Sequence, residues 1–129
     1  RAVEGVVVDM STFTTRDDSG VLVVAFTDPS GLNDFRNTPL RDALFELVQD
    51  RTEPRAALDM HKVDYLSSSG VAILVGFKRK VEMKDGKIAL FRLQPAVHDL
   101  LKVMKLDRYF TIVEDEAEAV SQLRTAPSV

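Results

Sequence analysis

A run of three serines and one glycine, Ser67-Ser68-Ser69-Gly70, is the segment of the chain whose residue types are best suited to chemistry. This serine run follows a short strand-like segment and opens a strongly apolar helical pattern. A hydroxyl at a helix N-terminus lies beside unpaired backbone N–H groups at the positive end of the helix dipole. A phosphate there would be tolerated, and it would add about −1.5 to −2 charges to a contact surface. The spacing is compatible with a phosphorylation switch.

The same serine run also has a purely structural interpretation. Serine is one of the favoured N-cap residues, and Gly70 would let the chain turn tightly into the helix. Because caps are so common, local physics by itself favours the structural interpretation. Spacing alone therefore leaves both interpretations open.

Enzymatic and metal-binding patterns are absent from the sequence. It contains no G-x-x-x-x-G-K-S/T, no G-x-G-x-x-G and no G-x-S-x-G motif. The two histidines, His61 and His98, lack metal-ligand spacing, and we interpret both as surface or structural residues. Asp59 and Asp64 flank the serine run, but their separation in sequence does not make them a carboxylate pair. We predict a protein that is not an enzyme and that uses no cofactor and no metal.

Composition and charge limit the cellular locations and the binding partners that we expect for this protein. The formal net charge of −3 gives no general attraction to nucleic acid or to anionic membranes. Cysteine is absent, which fits a reducing compartment, and no apolar run approaches the roughly 20 residues of a membrane span. We therefore predict a cytoplasmic protein that contacts neither nucleic acid nor membrane directly, with a monomer as the simplest state.

Predicted strands surround the serine run. Apolar runs predict strands over residues 3–10, 21–26, 56–60, 87–93 and 110–113. The polar residues 16–20 predict a turn between the first two of them. The continuous apolar run over residues 21–26 indicates a strand that is covered on both faces.

Helical patterns fill the segments between these strands. Helices are predicted to begin at Pro39, Val71, Pro95 and Asp115. The first ends near residue 51, and the second ends at Lys84, where Asp85-Gly86 closes it. Alternating strands and helices imply an α/β sheet with parallel neighbours. We predict one domain over residues 1–129, with frayed tails at residues 1–2 and 125–129.

Residues 57–72 resemble the signature of a known family. Within them a strand ends at Asp59, an aromatic residue follows at Tyr65, and the serine run leads into the pair Val71-Ala72. This order resembles STAS domains of bacterial anti-sigma factor antagonists. The resemblance to that family extends to residues 32–44, 87–93 and 97–106. The resemblance implies an α/β STAS fold, a mixed β-sheet of about five strands with about four helices largely on one side.

The resemblance also implies a function. STAS antagonists of this type are not enzymes, and each binds an anti-sigma factor that is also a serine kinase, which frees the sigma factor. The kinase phosphorylates the first serine of a Ser-Ser/Thr-Gly motif, and a PP2C-type phosphatase removes the phosphate. Carried over to this sequence, the acceptor is Ser68, with Ser67, Ser69 and Gly70 as its neighbours. The candidate partner-binding residues are Asn33, Val71, Ala72 and Val75.

Two positions depart from the family pattern. Ser67 stands where the family has an aspartate, and Asn33 stands where it has an acid before the first helix. These losses of charge support an alternative, a STAS subunit or scaffold of a transporter or sensory complex that is not phosphorylated. A small enzyme or nucleotide-binding protein is a third possibility, which no motif supports. For the apolar residues 71–75, burial in the core and an exposed contact patch both stay open.

Overall fold

The computed structural model describes residues 13–27 and 38–124, and all bounds below refer to them. These residues form five strands and four helices: β1 Phe13–Asp18, β2 Val21–Phe26, α1 Thr38–Glu46, β3 Arg55–Asp59, α2 Ser68–Met83, β4 Lys87–Phe91, α3 Pro95–Val103, β5 Thr111–Val113 and α4 Glu116–Arg124. The predicted strand over residues 3–10, the predicted tails and Asn33 lie outside the described residues.

The five strands form one mixed sheet whose spatial order, β1-β2-β3-β4-β5, follows the order of the chain. β1 and β2 are antiparallel and pair from Phe13 opposite Phe26 to Asp18 opposite Val21. β2, β3, β4 and β5 are parallel neighbours. Parallel neighbours need a crossover connection, and α2 and α3 provide it on either side of β4. The predicted α/β class and the mixed sheet are confirmed.

β1 was not predicted, and the turn between it and β2 is shorter than the predicted one. The predicted turn over residues 16–20 was wrong for its first three residues, which belong to β1. Ser19 and Gly20 form the turn, and their φ angles of 57° and 89° are the left-handed values of a tight two-residue hairpin. Arg16 and Asp17 are exposed. A strand with solvated positions accepts such polar side chains, so polarity alone was a misleading signal.

Helices cover both faces of the sheet, but unequally. One face packs against α1, α2 and α3 and forms the main core, in which Leu58 and Phe77 are fully buried. The other face packs against α4 through a smaller cluster that contains Ala57. β2 contributes Val24 to the main core and Val23 to the smaller cluster, which confirms a strand covered on both faces. Three of the four helices therefore lie on one side, as the resemblance implied.

α2 has 16 residues and ends in a Schellman motif. The backbone N–H of Gly86 donates to the carbonyl of Val81 at 2.9 Å, and that of Asp85 donates to the carbonyl of Glu82 at 2.9 Å. The left-handed residue is Asp85, with a φ of 62°, although glycine is the usual residue there. A Cβ atom at Gly86 would lie 2.2 Å from the carbonyl oxygen of Pro54. The predicted closure is confirmed. Glycine is needed at position 86 because Pro54 packs closely against it, and not because of its backbone conformation.

α1 ends earlier than predicted. The helix stops at Glu46, whereas the prediction placed its end near residue 51. It is followed by hydrogen bonds between residues three apart: the N–H of Leu47 donates to the carbonyl of Leu44 at 3.1 Å, and the N–H of Arg51 donates to the carbonyl of Val48 at 3.2 Å. This tighter turn still buries Val48 completely. The apolar periodicity therefore continued past the last α-helical hydrogen bond, which is why the prediction ran too long.

Candidate functional site

The segment between β3 and α2 leads to the serine run at the edge of the sheet where the parallel strands end. Its buried side chains, Met60, Val63 and Leu66, belong to the main core. Lys62 and Tyr65 lie between these anchors and are exposed, Tyr65 by 58%. The three buried side chains anchor the segment to the main core along its path to the start of α2.

Ser67 is the N-cap of α2, and its backbone is extended, with φ of −81° and ψ of 172°. Its Oγ atom accepts a hydrogen bond from the N–H of Gly70 at 3.1 Å, and its carbonyl accepts one from the N–H of Val71 at 2.9 Å. The hydroxyls of Ser67 and Ser69 lie 3.0 Å apart. The structural interpretation is thus confirmed for Ser67, which satisfies N–H groups that a helix start leaves unpaired.

Gly70 does not make the tight turn that the structural interpretation of the serine run gave it. It lies in the first turn of α2 and is buried. Among the glycines that the structure describes, Gly20 alone has a positive φ. The chain enters the helix through the extended backbone of Ser67, so a left-handed residue is not needed at this end. The prediction for Gly70 was wrong in conformation, although its backbone N–H takes part in the cap.

Of the three serines in the run, Ser68 is the one whose side chain is exposed to solvent. It is the first residue of α2 and is exposed, whereas Ser67 and Ser69 are half-buried. Within the described residues its side chain makes no hydrogen bond, while the hydroxyls of its two neighbours contact each other. The positive end of the dipole of α2 lies at this position. The fold therefore separates the hydroxyl that caps the helix from the hydroxyl that faces solvent.

An accessible stripe of α2 continues from Ser68. Ala72, Val75 and Arg79 follow at spacings of four, three and four residues, and so they share its face of the helix. Ala72 and Arg79 are exposed, and Val75 is half-buried. Val71 belongs to the main core and is 7% exposed. Of the predicted contact residues within the described chain, Ala72 and Val75 therefore share the stripe with Ser68.

A buried carboxylate marks the end of β3. Asp59 is 8% exposed, and its Oδ1 atom accepts a hydrogen bond from the backbone N–H of His61 at 3.1 Å. The same atom lies 3.3 Å from Nδ1 of His61 and 3.6 Å from Nε of Arg92. A buried charge needs such partners. Asp59 and His61 are close in sequence, but no sequence signal identified Arg92, which approaches from the connection after β4.

An ion pair joins β1 to α4 on the opposite face of the sheet. Nη1 of Arg16 donates to Oε2 of Glu116 at 2.8 Å, and Nη2 contacts Oε1. The hydrogen bonds from Arg16 are the main cause that lowers the pKa of Glu116 to about 2, from an ordinary value of 4.5. Glu116 is the first residue of α4, so the pair ties the start of this helix to the sheet.

An open groove of about 640 Å³ lies beside β5. It is lined by Arg92 and His98 together with acidic side chains that include Asp99, Glu114 and Glu118. Throughout the described residues, no group of three or more histidine and acidic side chains is arranged to hold a metal ion. No helix in these parts of the chain is long and apolar enough to cross a membrane.

The fold and the serine run together define a STAS domain. The chain matches the STAS domain family over residues 15–119, a range that contains most of β1, all of β2 to β5 and the serine run. The protein therefore belongs to the STAS family, and the resemblance seen in the sequence is confirmed.

Several known proteins are similar to this chain. The anti-sigma F factor antagonist of Paenibacillus polymyxa is 26% identical over 104 residues, which cover 81% of this chain and 87% of that protein. An anti-sigma-factor antagonist (STAS) domain protein from Planctomyces limnophilus has a TM-score of 0.78 at 18% identity, covering 87% of this chain and 97% of that chain. The murine anion transporter Slc26a9 has a TM-score of 0.70 at 16% identity, covering 85% of this chain and 18% of the transporter. The fold thus occurs both in antagonists and within a transporter. The Paenibacillus polymyxa protein, which is similar in sequence, is an antagonist.

Proposed function

We propose that this protein is an anti-sigma factor antagonist, which binds an anti-sigma factor with serine kinase activity and so frees a sigma factor. Reversible phosphorylation of Ser68 controls this binding, and a PP2C-type phosphatase removes the phosphate. The role is non-enzymatic and is exercised by a monomer in the cytoplasm. The observation that carries the proposal is the exposed hydroxyl of Ser68 at the start of α2.

The geometry favours Ser68 over its neighbours as the acceptor. A kinase must align the acceptor hydroxyl with the γ-phosphate of ATP, so the hydroxyl has to be accessible. Ser68 is exposed, and its side chain makes no hydrogen bond within the described residues. The hydroxyl of Ser67 is engaged in the cap, and that of Ser69 contacts Ser67. Phosphorylation of Ser68 would therefore leave the start of α2 intact.

A phosphate on Ser68 would alter the contact surface without unfolding the domain. The N-terminal end of a helix stabilises an anion through its dipole and its backbone N–H groups. The group adds about −1.5 to −2 charges beside the apolar side chains of Ala72 and Val75. A partner surface that is complementary to the neutral stripe would then face an added charge. Binding should weaken for this reason.

Phosphosite mapping tests the acceptor. The wild-type protein and the Ser68→Ala variant are incubated with ATP and the serine kinase encoded nearest to the gene, and the products are mapped by mass spectrometry. We expect a single phosphate on Ser68 and none on the variant. Ser69→Ala, a matched change in the same run, should keep the phosphate on Ser68. An absence of phosphate from the wild type, with a kinase shown to be active on another substrate, contradicts the proposal.

Binding measurements test the switch. Ser68→Ala should bind the kinase as tightly as the wild type and should no longer be released when ATP is added. Ser68→Glu should bind about tenfold more weakly, because a carboxylate at the contact imitates part of the phosphate charge. Equal binding of Ser68→Glu and the wild type would show that charge at this position does not control the complex.

The alternative function is a STAS subunit or scaffold that is not phosphorylated. The replacement of the family aspartate by Ser67 favours it, because Ser67 provides the helix cap without a negative charge beside the acceptor. The similarity to part of an anion transporter is compatible with this role. A wild-type protein that stays unmodified by an active kinase, but is co-purified with transporter components through the exposed stripe of α2, would support the alternative.

A further inference from the structure

Gln94 occupies the N-cap position of α3 without capping its own helix. Its backbone is extended, with φ of −70° and ψ of 149°, and its side chain makes no capping hydrogen bond. Instead, Nε2 of Gln94 donates to the carbonyl oxygen of His61 at 2.8 Å. N-cap positions favour serine, threonine, aspartate and asparagine, whose short side chains reach the N–H groups of the same helix. The longer side chain of Gln94 serves a neighbouring segment instead.

Both backbone polar groups of His61, the N–H and the carbonyl, are therefore hydrogen-bonded to side chains. Its N–H donates to Asp59 at 3.1 Å, and its carbonyl accepts from Gln94 at 2.8 Å. Asp59 is in turn approached by Nε of Arg92 at 3.6 Å. Arg92 has a φ of 60°, a left-handed backbone that residues other than glycine rarely adopt. The connection between β4 and α3 therefore contributes two side chains to the start of the segment that leads to the serine run.

The contacts at His61 lie at one end of the path to Ser68. Just before them, the N–H of Met60 donates to the carbonyl of Phe91 at 3.0 Å and extends the contact between β3 and β4. Just after them, the N–H of Val63 donates to the carbonyl of Met60 at 3.0 Å. The cap at the start of α2 holds the other end. Loss of one end contact would let the intervening backbone move relative to Ser68.

We propose that Gln94 is a positioning residue for the Ser68 switch. Its side chain ties the start of α3 to His61 and so restricts the positions in which the segment presents Ser68 to a kinase. The effect on phosphorylation rests on the proposed function, whereas the tether itself does not.

Two substitutions separate the tether from the stability of α3. Gln94→Ser loses the contact with His61 but places a favoured cap residue on α3. Gln94→Glu keeps the size of the side chain and loses the N–H donor. Gln49→Ser is the matched control, because Gln49 is an exposed glutamine in the turn after α1. The full chain is used for amide hydrogen exchange by NMR, for steady-state phosphorylation kinetics and for thermal unfolding.

We expect the amides of His61 and Val63 to exchange about fivefold faster in both Gln94 variants, the factor that corresponds to the loss of one hydrogen bond. The kcat/KM for phosphorylation of Ser68 should fall by a similar factor of about fivefold. Gln94→Ser should nevertheless unfold at no lower temperature than the wild type, because of its new cap. Gln49→Ser should leave exchange at these amides and kcat/KM unchanged. A residue that only stabilised the fold would change kcat/KM and the unfolding temperature together.

Unchanged exchange at His61 and Val63 in both Gln94 variants would overturn the inference. Faster exchange with an unaltered kcat/KM would overturn it as well, because the tether would then not position Ser68. A wild-type protein that an active kinase does not phosphorylate would instead contradict the proposed function. In that case the exchange rates alone decide whether Gln94 tethers the segment.

Discussion

The Oγ atom of Ser67 lies 3.1 Å from the backbone nitrogen of Gly70 and closes the first turn of α2. This contact assigns the helix cap to the residue before Ser68, so a change at Ser68 leaves the cap in place. Aspartate, which the family resemblance places at this position, is an equally favoured cap residue. The departure at Ser67 therefore keeps the start of the helix and removes only a charge from it.

Removal of the Ser67 hydroxyl should destabilise the protein. Ser67→Ala loses the bond to the N–H of Gly70, and we expect the free energy of unfolding to fall by about 1 kcal/mol. Ser67→Asp should retain the stability, because its carboxylate accepts the same bond. Urea unfolding followed by circular dichroism measures both. Ser68→Ala is the control and should change the stability by less than about 0.5 kcal/mol, as an exposed surface position does. Equal values for the two alanine variants would refute the capping role.

A negative charge at Ser68 should not weaken the fold. Ser68→Glu places a carboxylate at the positive end of α2, and we expect a gain of about 0.5 kcal/mol in the free energy of unfolding at low salt. The gain should shrink when salt screens the dipole. Chemical unfolding at two salt concentrations checks this, with Ser68→Gln as the uncharged control. A marked loss of stability in Ser68→Glu alone would mean that weaker partner binding reflects unfolding instead of charge.

The ion pair between Arg16 and Glu116 should make stability depend on pH in the acid range. The pKa of Glu116 lies at about 2 in the folded protein, below its ordinary value of 4.5, so the pair contributes fully above pH 4.5. Its contribution is lost as the pH falls from 4.5 through the folded value. Because Arg16 is exposed, we expect Glu116→Gln to cost about 1 kcal/mol at pH 7.

The difference in the free energy of unfolding between the wild type and Glu116→Gln should decrease below pH 4.5 and largely vanish near pH 2. Urea unfolding across that range measures it. Glu114→Gln is the control, since Glu114 is exposed and forms no ion pair with the described residues. A difference that stayed constant down to pH 2 would contradict the assignment of the pair.

The turn after α2 should respond in opposite directions to two neighbouring substitutions. Gly86→Ala should lower the free energy of unfolding by about 1–3 kcal/mol, because the new Cβ atom would lie 2.2 Å from the carbonyl oxygen of Pro54. Asp85→Gly should raise it by up to about 1 kcal/mol, because glycine adopts the φ of 62° without a steric penalty. Thermal and urea unfolding measure both changes. Destabilisation by Asp85→Gly would contradict this account of the motif.

The parts of the fold that the sequence predicted correctly depend on local patterns. The apolar run of β2 indicated burial on both faces, and the strand-helix alternation indicated parallel neighbours. The predictions failed where local polarity and tertiary context disagreed. Arg16 and Asp17 looked like a turn but belong to β1, whose polar side chains face solvent. The closure of α2 at Asp85-Gly86 was predicted, but the reason for a glycine at position 86, the close approach of Pro54, appears only in the structure.

The sequence by itself determined the order of the elements from β2 onwards and a helix that opens at the serine run, because periodicity and capping preferences act over a few residues. It did not predict β1, and it placed the start of α2 at Val71, three residues too late. Only the tertiary structure decided that Ser67 caps the helix while Ser68 faces solvent. It also decided that Gln94 reaches His61 and that Arg16 reaches Glu116. Those contacts join residues far apart in the chain. They follow from which strands and helices become neighbours when the two hydrophobic clusters form, and spacing along the sequence does not contain that information.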